Sequence, residues 1–186
     1  MTGWKAIDRP KDAKAQSAIE PQDAHDSCGF FAFANGASYR PMTLTDLDEV
    51  MAIERASFAY PWSSRFFLQE FQVECARSIV VEIDGKIVGY VLFWLLPDGV
   101  DIHNLAVRSE YRRRGIGRNL LQQVIFEALR RSSARVTLEV RKSNLAAQKL
   151  YESSGFVATG IRRAYYSDDG EDALTMALDL APSAQR

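Results

Sequence analysis

Two glycines and five arginines lie close together between residues 108 and 118, in the segment R-S-E-Y-R-R-R-G-I-G-R. The segment lies between a predicted strand and a predicted helix, and the unpaired amides of a helix N-terminus favour bound anions. Gly115 and Gly117 allow the backbone to approach a phosphate closely and to curve around it. No Gly-Lys-Ser/Thr follows, and Leu120 stands where the dinucleotide fingerprint requires a third glycine. The segment therefore predicts a polyanion site, with an ordinary basic surface loop as the alternative.

A second candidate is Glu139, which lies in a predicted strand over residues 135–140. Because side chains alternate along a strand, Glu139 shares one face with Thr137. The other face is apolar and carries Val136, Leu138 and Val140. Inside a sheet, Glu139 would occupy a position where an apolar side chain is expected. Two interpretations follow from the residues alone: a reacting carboxylate, or a carboxylate at the end of the sheet that pairs with Arg141 or Arg108.

The remaining reactive side chains indicate neither covalent nor metal chemistry. Cys75 has no base beside it in the sequence, and it lies at the end of a predicted helix. His25 and His103 lack the spacing of metal ligands, so we expect no metal. Cys28 and Cys75 make neither a disulfide framework nor a zinc site, which favours a location in the reducing cytoplasm.

Hydrophobic periodicity and turn residues define the elements that must position these side chains. Regular patterns begin at Tyr39 and give the order βααβββαβαββ, a mixed α/β fold with one parallel pair joined by a crossover. Asp84-Gly85 predicts a two-residue hairpin turn. The predicted helices are 43–58, 64–75, 117–132 and 144–153, and the main strands are 79–83, 86–95, 100–107, 135–140, 156–164 and 173–180.

Length and composition fit one domain with an appendage. The chain has 186 residues, of which 47% are hydrophobic, and its 23 basic and 24 acidic residues give a net charge of -1. This balance gives no general attraction to nucleic acid or to an anionic membrane, and no apolar run approaches the ~20 residues of a membrane span. We expect a flexible leader over residues 1–36, a domain over 37–181 and a tail over 182–186. The leader has no signal-peptide pattern, although its aromatic run at Gly29–Phe33 could instead pack on the domain.

Two segments resemble the GNAT superfamily of N-acetyltransferases. Arg112-x-x-Gly115-x-Gly117, placed after the strand that ends at Val107, resembles the acetyl-CoA motif of that superfamily. Residues 144–156, N-L-A-A-Q-K-L-Y-E-S-S-G-F, are similar to its second hallmark helix and turn. The resemblance implies the GNAT fold, in which a mixed central sheet has a splayed parallel strand pair and flanking helices. It also implies acetyl-CoA as the cosubstrate, without a metal.

Within that superfamily, the chain resembles the bacterial enzymes that acetylate the N-terminal alanine of a small-subunit ribosomal protein. The similarity lies in residues 59–63, 138–144 and 161–173, and it extends from about Tyr39 to Leu180; the loop 167–170 departs from the pattern. The resemblance implies transfer of an acetyl group to the α-amine by direct attack in a ternary complex. An acetyltransferase for lysine side chains or small-molecule amines is the alternative.

The same resemblance implies a role for individual residues. Glu139 would be the general base, and Tyr151 the general acid that protonates the departing CoA thiolate. Cofactor contacts would come from Leu105, Ala106, Val107, Arg112, Arg113, Arg114, Gly115, Ile116, Gly117, Arg118 and Asn144. The peptide groove would be lined by Tyr60, Trp62, Tyr165 and Tyr166. Core packing is the alternative for Tyr151 and for these four aromatic residues.

The chemistry of the amine favours an N-terminal substrate. Direct attack on a thioester needs a neutral amine, and the pKa of an α-amino group is near ~7.7–8.0. Neutralising it at pH 7 costs about 1 kcal/mol, against about 4.6 kcal/mol for a lysine whose pKa is near ~10.4. One glutamate, acting through water, can supply the first amount. Lysine remains possible on this argument.

Two functions without catalysis are also compatible with parts of the sequence. A CoA-binding regulatory module would need the cofactor residues alone, and the presence of both Glu139 and Tyr151 argues against it. Residues 112–118 could instead contact RNA on the ribosome, in which case RNA binding would depend steeply on salt. We expect no direct binding of nucleic acid.

Overall fold

The structure, a computed structural model, describes residues 36–180. The predicted leader before Gly36, with its aromatic run, and the predicted tail at 182–186 lie outside these residues. Strands β1–β7 are Ser38–Pro41, Ala76–Ile83, Lys86–Leu96, Gly99–Val107, Arg135–Arg141, Val157–Arg162 and Ala173–Asp179. Helices α1–α4 are Leu47–Ser57, Ser64–Glu70, Ile116–Arg130 and Leu145–Glu152, and short 3-10 turns lie at Leu44–Asp46 and Ser109–Tyr111.

One mixed sheet contains the seven strands in the spatial order β1-β2-β3-β4-β5-β7-β6. The neighbours β4 and β5 are parallel and are joined through α3, whereas the other neighbouring pairs are antiparallel. The pairing of β4 with β5 covers Val100–Ile102 against Val136–Leu138, after which β4 continues to Val107 and β5 to Arg141. The predicted splayed parallel pair is therefore present. A gap opens between the C-terminal halves of these strands.

Each face of the sheet has its own apolar core. On one face, α3 buries Leu120 and Val124, and α4 adds Tyr151. On the other face, α1 and α2 bury Ile53 and Phe67. Successive residues of β2 and β3 enter the two cores alternately, since neighbouring side chains point to opposite faces. This arrangement explains why the central strands are almost continuously apolar in the sequence.

The predicted element order is confirmed, and so is the hairpin turn. Asp84 and Gly85 both have positive φ, 51° and 75°, and they join Ile83 to its partner Lys86, as expected of a type I′ turn. The start of the first helical segment is also as predicted, because the Thr43 amide donates to Asp46 Oδ2 at 2.7 Å.

The predicted boundary between the second helix and the next strand was wrong. The helix ends at Glu70 instead of residue 75, and β2 begins at Ala76 instead of residue 79. Ala76 pairs with Trp94 of β3, and the Leu95 amide donates to the Cys75 carbonyl at 2.8 Å. Sheet pairing with the long strand β3 therefore draws this backbone away from the helix.

Within residues 36–180, none of the helices combines the length and the apolar composition needed to cross a membrane. The same residues contain no group of three or more histidine, cysteine, aspartate or glutamate side chains that could hold a metal ion.

Candidate active site

The segment Arg112–Arg118, here called the arginine turn, follows β4 and leads into α3. Arg113 and Gly115 have positive φ, 64° and 83°, so left-handed residues alternate with ordinary ones ahead of the helix. Such alternation aims successive backbone amides into one concavity, which favours anions. A Cβ on Gly115 would meet no heavy atom within 4 Å, so its backbone conformation, and not lack of space, requires glycine here. The helix begins at Ile116, one residue earlier than predicted.

Arg112 has a structural task within the arginine turn. Its Nε donates to the carbonyl of Val107 at 2.9 Å, and its Nη2 donates to Ser57 Oγ at 3.2 Å. These bonds attach the turn to the end of β4 and to the end of α1. The predicted cofactor role of this side chain stays a prediction.

The other arginines of the turn keep their charge uncompensated. Arg118 Nη2 donates to Ser153 Oγ at 3.1 Å, and the Arg114 guanidinium lies 5.1 Å from the centre of the Tyr111 ring. Across the described part of the chain, no carboxylate pairs with Arg113, Arg114 or Arg118. The concavity of amides is therefore bordered by free positive charge.

Beside the arginine turn, the end of β4 offers its backbone to the gap. Ala106 and Val107 are buried, and Leu105 packs against the core, so their side chains serve packing. Their backbone groups on the side of β5 lie beyond the last paired residues of the parallel pair. A ligand in the gap would meet these amides and carbonyls in the manner of an added strand.

Ile116 and Gly117 contribute differently from what their motif suggests. The Ile116 side chain is fully buried, which leaves only its backbone amide for a ligand. A Cβ on Gly117 would lie 3.2 Å from Leu150 Cδ2, so this glycine permits close packing of α3 against α4. Close packing against Leu150 favours glycine at 117, whereas the left-handed backbone requires it at 115.

Glu139 lies on β5 at the edge of the gap, on the face opposite to α3. Both arginines considered as its partner were wrong, because Glu139 Oε1 pairs with Arg162 Nη1 of β6 at 3.1 Å. Burial and the negative charge of Asp101 raise the pKa of Glu139, and Arg162 opposes them. Among the residues described, Glu139 Oε2 has no hydrogen-bond partner. The carboxylate can therefore accept a proton at Oε2 while Oε1 keeps its ion pair.

Tyr151 lies on α4 with 8% of its surface exposed. Its ring packs against Phe156, with the ring centres 5.9 Å apart. Burial raises the pKa of Tyr151 to about 12, so its hydroxyl stays protonated at neutral pH. No acceptor for that hydroxyl occurs in the described part of the chain. The side chain is both a core aromatic, as the alternative held, and an available proton donor.

Three tyrosines, here called the tyrosine cluster, surround the other end of the gap: Tyr60, Tyr165 and Tyr166. The Arg141 guanidinium lies 3.9 Å from the centre of the Tyr166 ring and 5.6 Å from that of Tyr60. Tyr165 meets Tyr166 edge-on, with ring centres 5.2 Å apart. Burial raises the pKa of Tyr166 well above its usual value. Tyr165 and Tyr166 therefore present neutral phenol rings near Glu139.

Known proteins share this architecture. The model of the acetyltransferase (GNAT) family matches residues 47–156, which is more than half of the chain. The chain belongs to the GNAT acetyltransferase family.

Individual relatives extend the similarity over most of the described residues. The ribosomal protein bS18-alanine N-acetyltransferase of Escherichia coli is 40% identical over 139 residues, which cover 74% of this chain and 93% of the relative. An N-alpha-acetyltransferase of Sulfurisphaera tokodaii is 36% identical over 155 residues, covering 76% and 92%. The crystal structure of the ribosomal-protein-S18-alanine N-acetyltransferase from Escherichia coli has a TM-score of 0.72 at 36% identity, covering 81% of this chain and 99% of that one. The predicted GNAT fold is confirmed.

Two of the predicted site residues lie apart from the tyrosine cluster. Asn144 is the N-cap of α4, where its Oδ1 accepts from the Ala147 amide at 3.1 Å and leaves its Nδ2 as a donor. Trp62 packs between Phe66 and Phe67, with ring centres 6.1 and 5.8 Å away. Its predicted contact with a peptide stays a prediction, because the ring is partly buried against the core.

Glu54, a buried carboxylate that fixes the backbone at Trp62, was missed in the sequence analysis. Glu54 of α1 is fully buried and accepts from the Trp62 amide at 2.7 Å and from Asn104 Nδ2 at 3.2 Å, as well as from the Tyr90 hydroxyl. Burial raises the pKa of Glu54. A signal existed in the sequence, because Glu54 lies on the apolar side of α1 with Val50.

Arg141 was also missed as a site residue. Its guanidinium pairs with Asp168, Asp169 and Glu171 of the loop between β6 and β7, at 2.5, 2.9 and 3.0 Å. Strand alternation could have placed Arg141 on the face of Glu139, two residues away. Its partners depend on how a distant loop folds back, which periodicity does not reveal.

Proposed function

We propose that this GNAT acetyltransferase transfers the acetyl group of acetyl-CoA to the α-amine of an N-terminal alanine, on the small-subunit ribosomal protein bS18. The observation that carries the proposal is the 40% identity to the Escherichia coli bS18-alanine N-acetyltransferase over 93% of that enzyme. The proposed site residues support it, because Glu139, the implied base, lies on β5 beside the gap, and Tyr151, the implied acid, keeps its proton at neutral pH. Ribosomal protein as substrate would place the reaction in the cytoplasm.

The residues around the gap fit acetyl-CoA. The arginine turn offers amides, a helix N-terminus and three uncompensated guanidinium groups to the phosphates. Backbone groups of Leu105, Ala106 and Val107 are positioned to pair with an extended chain of amides. Asn144 Nδ2 remains as a donor near the start of α4. Acetyl-CoA supplies the acetyl group as a thioester, which a neutral amine can attack directly.

Glu139 and Tyr151 divide the proton transfers in this proposal. Glu139 Oε2 takes a proton from the α-ammonium group, directly or through one water, and its raised pKa brings it nearer to that of the amine. Tyr151 holds its proton at Oη and can donate it to the departing sulfur, and the second proton, which the nitrogen loses as the amide forms, returns to Tyr151 directly or through solvent. The two side chains lie on different elements, Glu139 on β5 and Tyr151 on α4.

The tyrosine cluster favours a peptide over a free polyamine. Its rings provide flat apolar surface. The positive charge of Arg141 beside them is already compensated by ion pairs with three carboxylates. Such a surface can pack against the first side chains of a peptide without repelling its positive N-terminus. A free polyamine would leave this surface unused.

The proposal is tested with three substrates of the purified enzyme. One is a peptide that begins with alanine and follows the sequence of bS18, the second is the same peptide with its N-terminus blocked and a lysine retained, and the third is spermidine. We expect acetylation of the first at a kcat/KM at least 10²-fold above the other two, since a lysine amine costs about 3.6 kcal/mol more to neutralise at pH 7. Comparable rates on blocked peptide or spermidine would contradict the proposal and favour the alternative substrates.

Mass spectrometry of ribosomal proteins provides the matching test in cells. Cells that lack this protein should contain bS18 with a free N-terminal alanine, and restoring the protein should restore the added mass of one acetyl group. A Glu139→Gln enzyme supplied at the same level is the control, because it should leave the alanine largely unmodified. Full acetylation of bS18 in cells without the protein would contradict the assignment of this substrate.

A further inference from the structure

A second carboxylate, Asp101, lies on the same face of the sheet as Glu139, one strand away. Asp101 of β4 is in register with Thr137 of β5, and Glu139 follows Thr137 by two residues on the same face. The Thr137 hydroxyl donates to Asp101 Oδ1 at 2.8 Å. Asp101 therefore lies at the last paired rungs of β4 and β5, where the gap begins.

A buried histidine lies beside the other oxygen of Asp101. A bulge in β4 leaves His103 without a partner residue in β3, because Leu92 pairs with Asn104 and Phe93 pairs with Ile102. The His103 ring stacks on Trp94 of β3, with centres 4.4 Å apart.

The His103 side chain is 6% exposed, and its Nε2 lies 3.6 Å from Asp101 Oδ2. No hydrogen bond to Nε2 is present among the residues described. Burial lowers the pKa of His103, and the charges of Asp101 and Glu70 oppose that effect without reversing it. His103 is thus neutral at pH 7 and leaves the negative charge of Asp101 intact.

Several other groups act on Glu139. Arg162 of β6 pairs with it at 3.1 Å, and the charge of Glu139 in turn helps to raise the pKa of Tyr165 and of Tyr166 in the loop after β6. Of the charged groups that act on Glu139, Arg162 favours its ionised form, and Asp101 of β4 is the carboxylate that disfavours it.

We propose that Asp101 is a positioning residue for the proposed base. The Thr137 hydroxyl holds its carboxylate at the start of the gap, and the negative charge there makes Glu139 a stronger base toward the substrate amine. The inference rests on the proposed function, in which Glu139 accepts the proton of that amine. It adds a further group to the site: a second carboxylate that acts through the first.

The proposal fixes the direction of the pH dependence. Glu139 must be ionised to accept a proton, so activity falls as the pH drops through its pKa. Removing the negative charge of Asp101 lowers the pKa of Glu139. The acid side of the pH profile should therefore move to lower pH, while the rate above it decreases because Glu139 has become a weaker base.

The first experiment measures Glu139 itself, without any substrate. Carbon-13 labelled carboxyl groups are titrated by NMR in the full chain, and the signal lost in Glu139→Gln identifies Glu139. In Asp101→Asn, the pKa of Glu139 should fall by about one pH unit. The control is Asp98→Asn, which removes the same charge from the exposed turn before β4 and should leave the pKa of Glu139 in place. Asp101→Ser, which avoids a buried amide, repeats the test if Asp101→Asn does not fold.

The second experiment measures kcat against pH, from pH 5 to 9, with saturating acetyl-CoA and alanine peptide. In Asp101→Asn, the midpoint of the acid side should move down by about one pH unit, and the rate at pH 8 should fall roughly threefold. Asp98→Asn should match the wild type in both respects. An unchanged pKa of Glu139 in the titration overturns the proposal. So does a changed pKa that leaves the kinetic profile as in the wild type, because the effect of Asp101 on Glu139 would then have no bearing on the reaction.

Failure of the proposed function would look different. The wild-type enzyme would leave the alanine peptide unmodified, or Glu139→Gln would stay fully active. In either case, the NMR comparison of Asp101→Asn with Asp98→Asn still decides whether Asp101 acts on Glu139.

Discussion

Arginines concentrate in two regions around the gap, and the regions differ in how their charge is compensated. In the arginine turn, Arg113, Arg114 and Arg118 meet no carboxylate within residues 36–180. Beside the tyrosine cluster, Arg141 binds three carboxylates of one loop, and Arg162 binds Glu139. One end of the gap is therefore positive, whereas at the other end four carboxylates outnumber the two guanidinium groups that they bind.

The difference matches the charges of the two proposed substrates. A polyanionic cofactor gains from guanidinium groups that no protein carboxylate has already bound. A peptide with a positive N-terminus would be repelled by free guanidinium groups. The ion pairs of Arg141 and Arg162 remove that repulsion, and those of Arg141 also hold the loop between β6 and β7 in place. The sequence contains both groups of arginines, but only the tertiary pairing distinguishes them.

Glu139→Gln, at the end of the gap beside the tyrosine cluster, should have the largest effect on activity. The substitution keeps the shape of the side chain but removes its ability to accept the amine proton, so the rate at pH 7 should fall by ~10²–10⁴. Raising the pH to 9 should partly restore the rate, because more of the α-amine is then already neutral. The measurement is kcat/KM for the alanine peptide against pH.

Glu152→Gln, at the exposed end of α4, is the matched control and should keep the wild-type rate. An active Glu139→Gln enzyme with the wild-type pH profile would leave Glu139 as a partner of Arg162 alone. In that case the ion pairs beside the tyrosine cluster would stabilise the fold and would have no part in the proton transfer.

Tyr151→Phe should have the next largest effect. The ring can still pack against Phe156, so the protein should fold, while the loss of the hydroxyl removes the proton donor and lowers the rate about 10²-fold. Raising the pH should not restore this rate, because neutralising the amine does not assist the departure of the thiolate. Recovery of Tyr151→Phe at pH 9 would show that the hydroxyl serves the amine step instead.

At the positive end, Gly115→Ala should weaken the binding of acetyl-CoA. An alanine in the left-handed conformation costs about 1–2 kcal/mol, so the turn can relax in the free enzyme and must be restored on binding. Because each 1.4 kcal/mol is a factor of ten, the KM for acetyl-CoA should rise roughly tenfold while that for the peptide stays constant.

Gly85→Ala is a close control for this experiment. Gly85 has a φ of 75° and open space around it, as Gly115 does, but it lies in the hairpin between β2 and β3. The two variants should lose similar stability. If both raise the KM for acetyl-CoA equally, the conformation of Gly115 has no specific role in the site.

How far the sequence predicts this molecule depends on the range of the contacts involved. The element order followed from local patterns, and the face of Glu139 followed from strand alternation. The partner of Glu139 did not, because Arg162 reaches it from β6, on the far side of β7. The proximity of Asp101 also depends on the register of a parallel pair that is separated by a whole helix.

Boundaries were least predictable where sheet pairing overrides local preference. Residues 71–75 continue the polar and apolar pattern of α2, yet the strand beyond them is extended by its pairing with β3. Likewise, the spacing of Gly117 fits a phosphate motif, whereas its immediate neighbour is Leu150. A motif thus predicts that glycine is needed without telling which neighbour requires it.

Arg141→Gln should have the smallest effect on activity. It should also distinguish the two ends of the gap most clearly, because we expect it to change the KM for the peptide and not that for acetyl-CoA. The substitution leaves the carboxylates of Asp168, Asp169 and Glu171 without their shared partner and removes the cation between Tyr60 and Tyr166. The loop after β6 should then lose its fixed position beside the gap. We expect the KM for the alanine peptide to rise roughly three- to tenfold, in line with the loss of about 1 kcal/mol of charge-assisted contacts.

The KM for acetyl-CoA should stay constant in Arg141→Gln, because the arginine turn lies at the other end of the gap. Arg135→Gln is the matched control: it removes an exposed arginine that pairs with Asp179 at 2.5 Å, and solvent screens such an exposed pair. That variant should leave both KM values as in the wild type. If Arg141→Gln instead raises the KM for acetyl-CoA, Arg141 contributes to the cofactor end, and the two ends are not separate in charge.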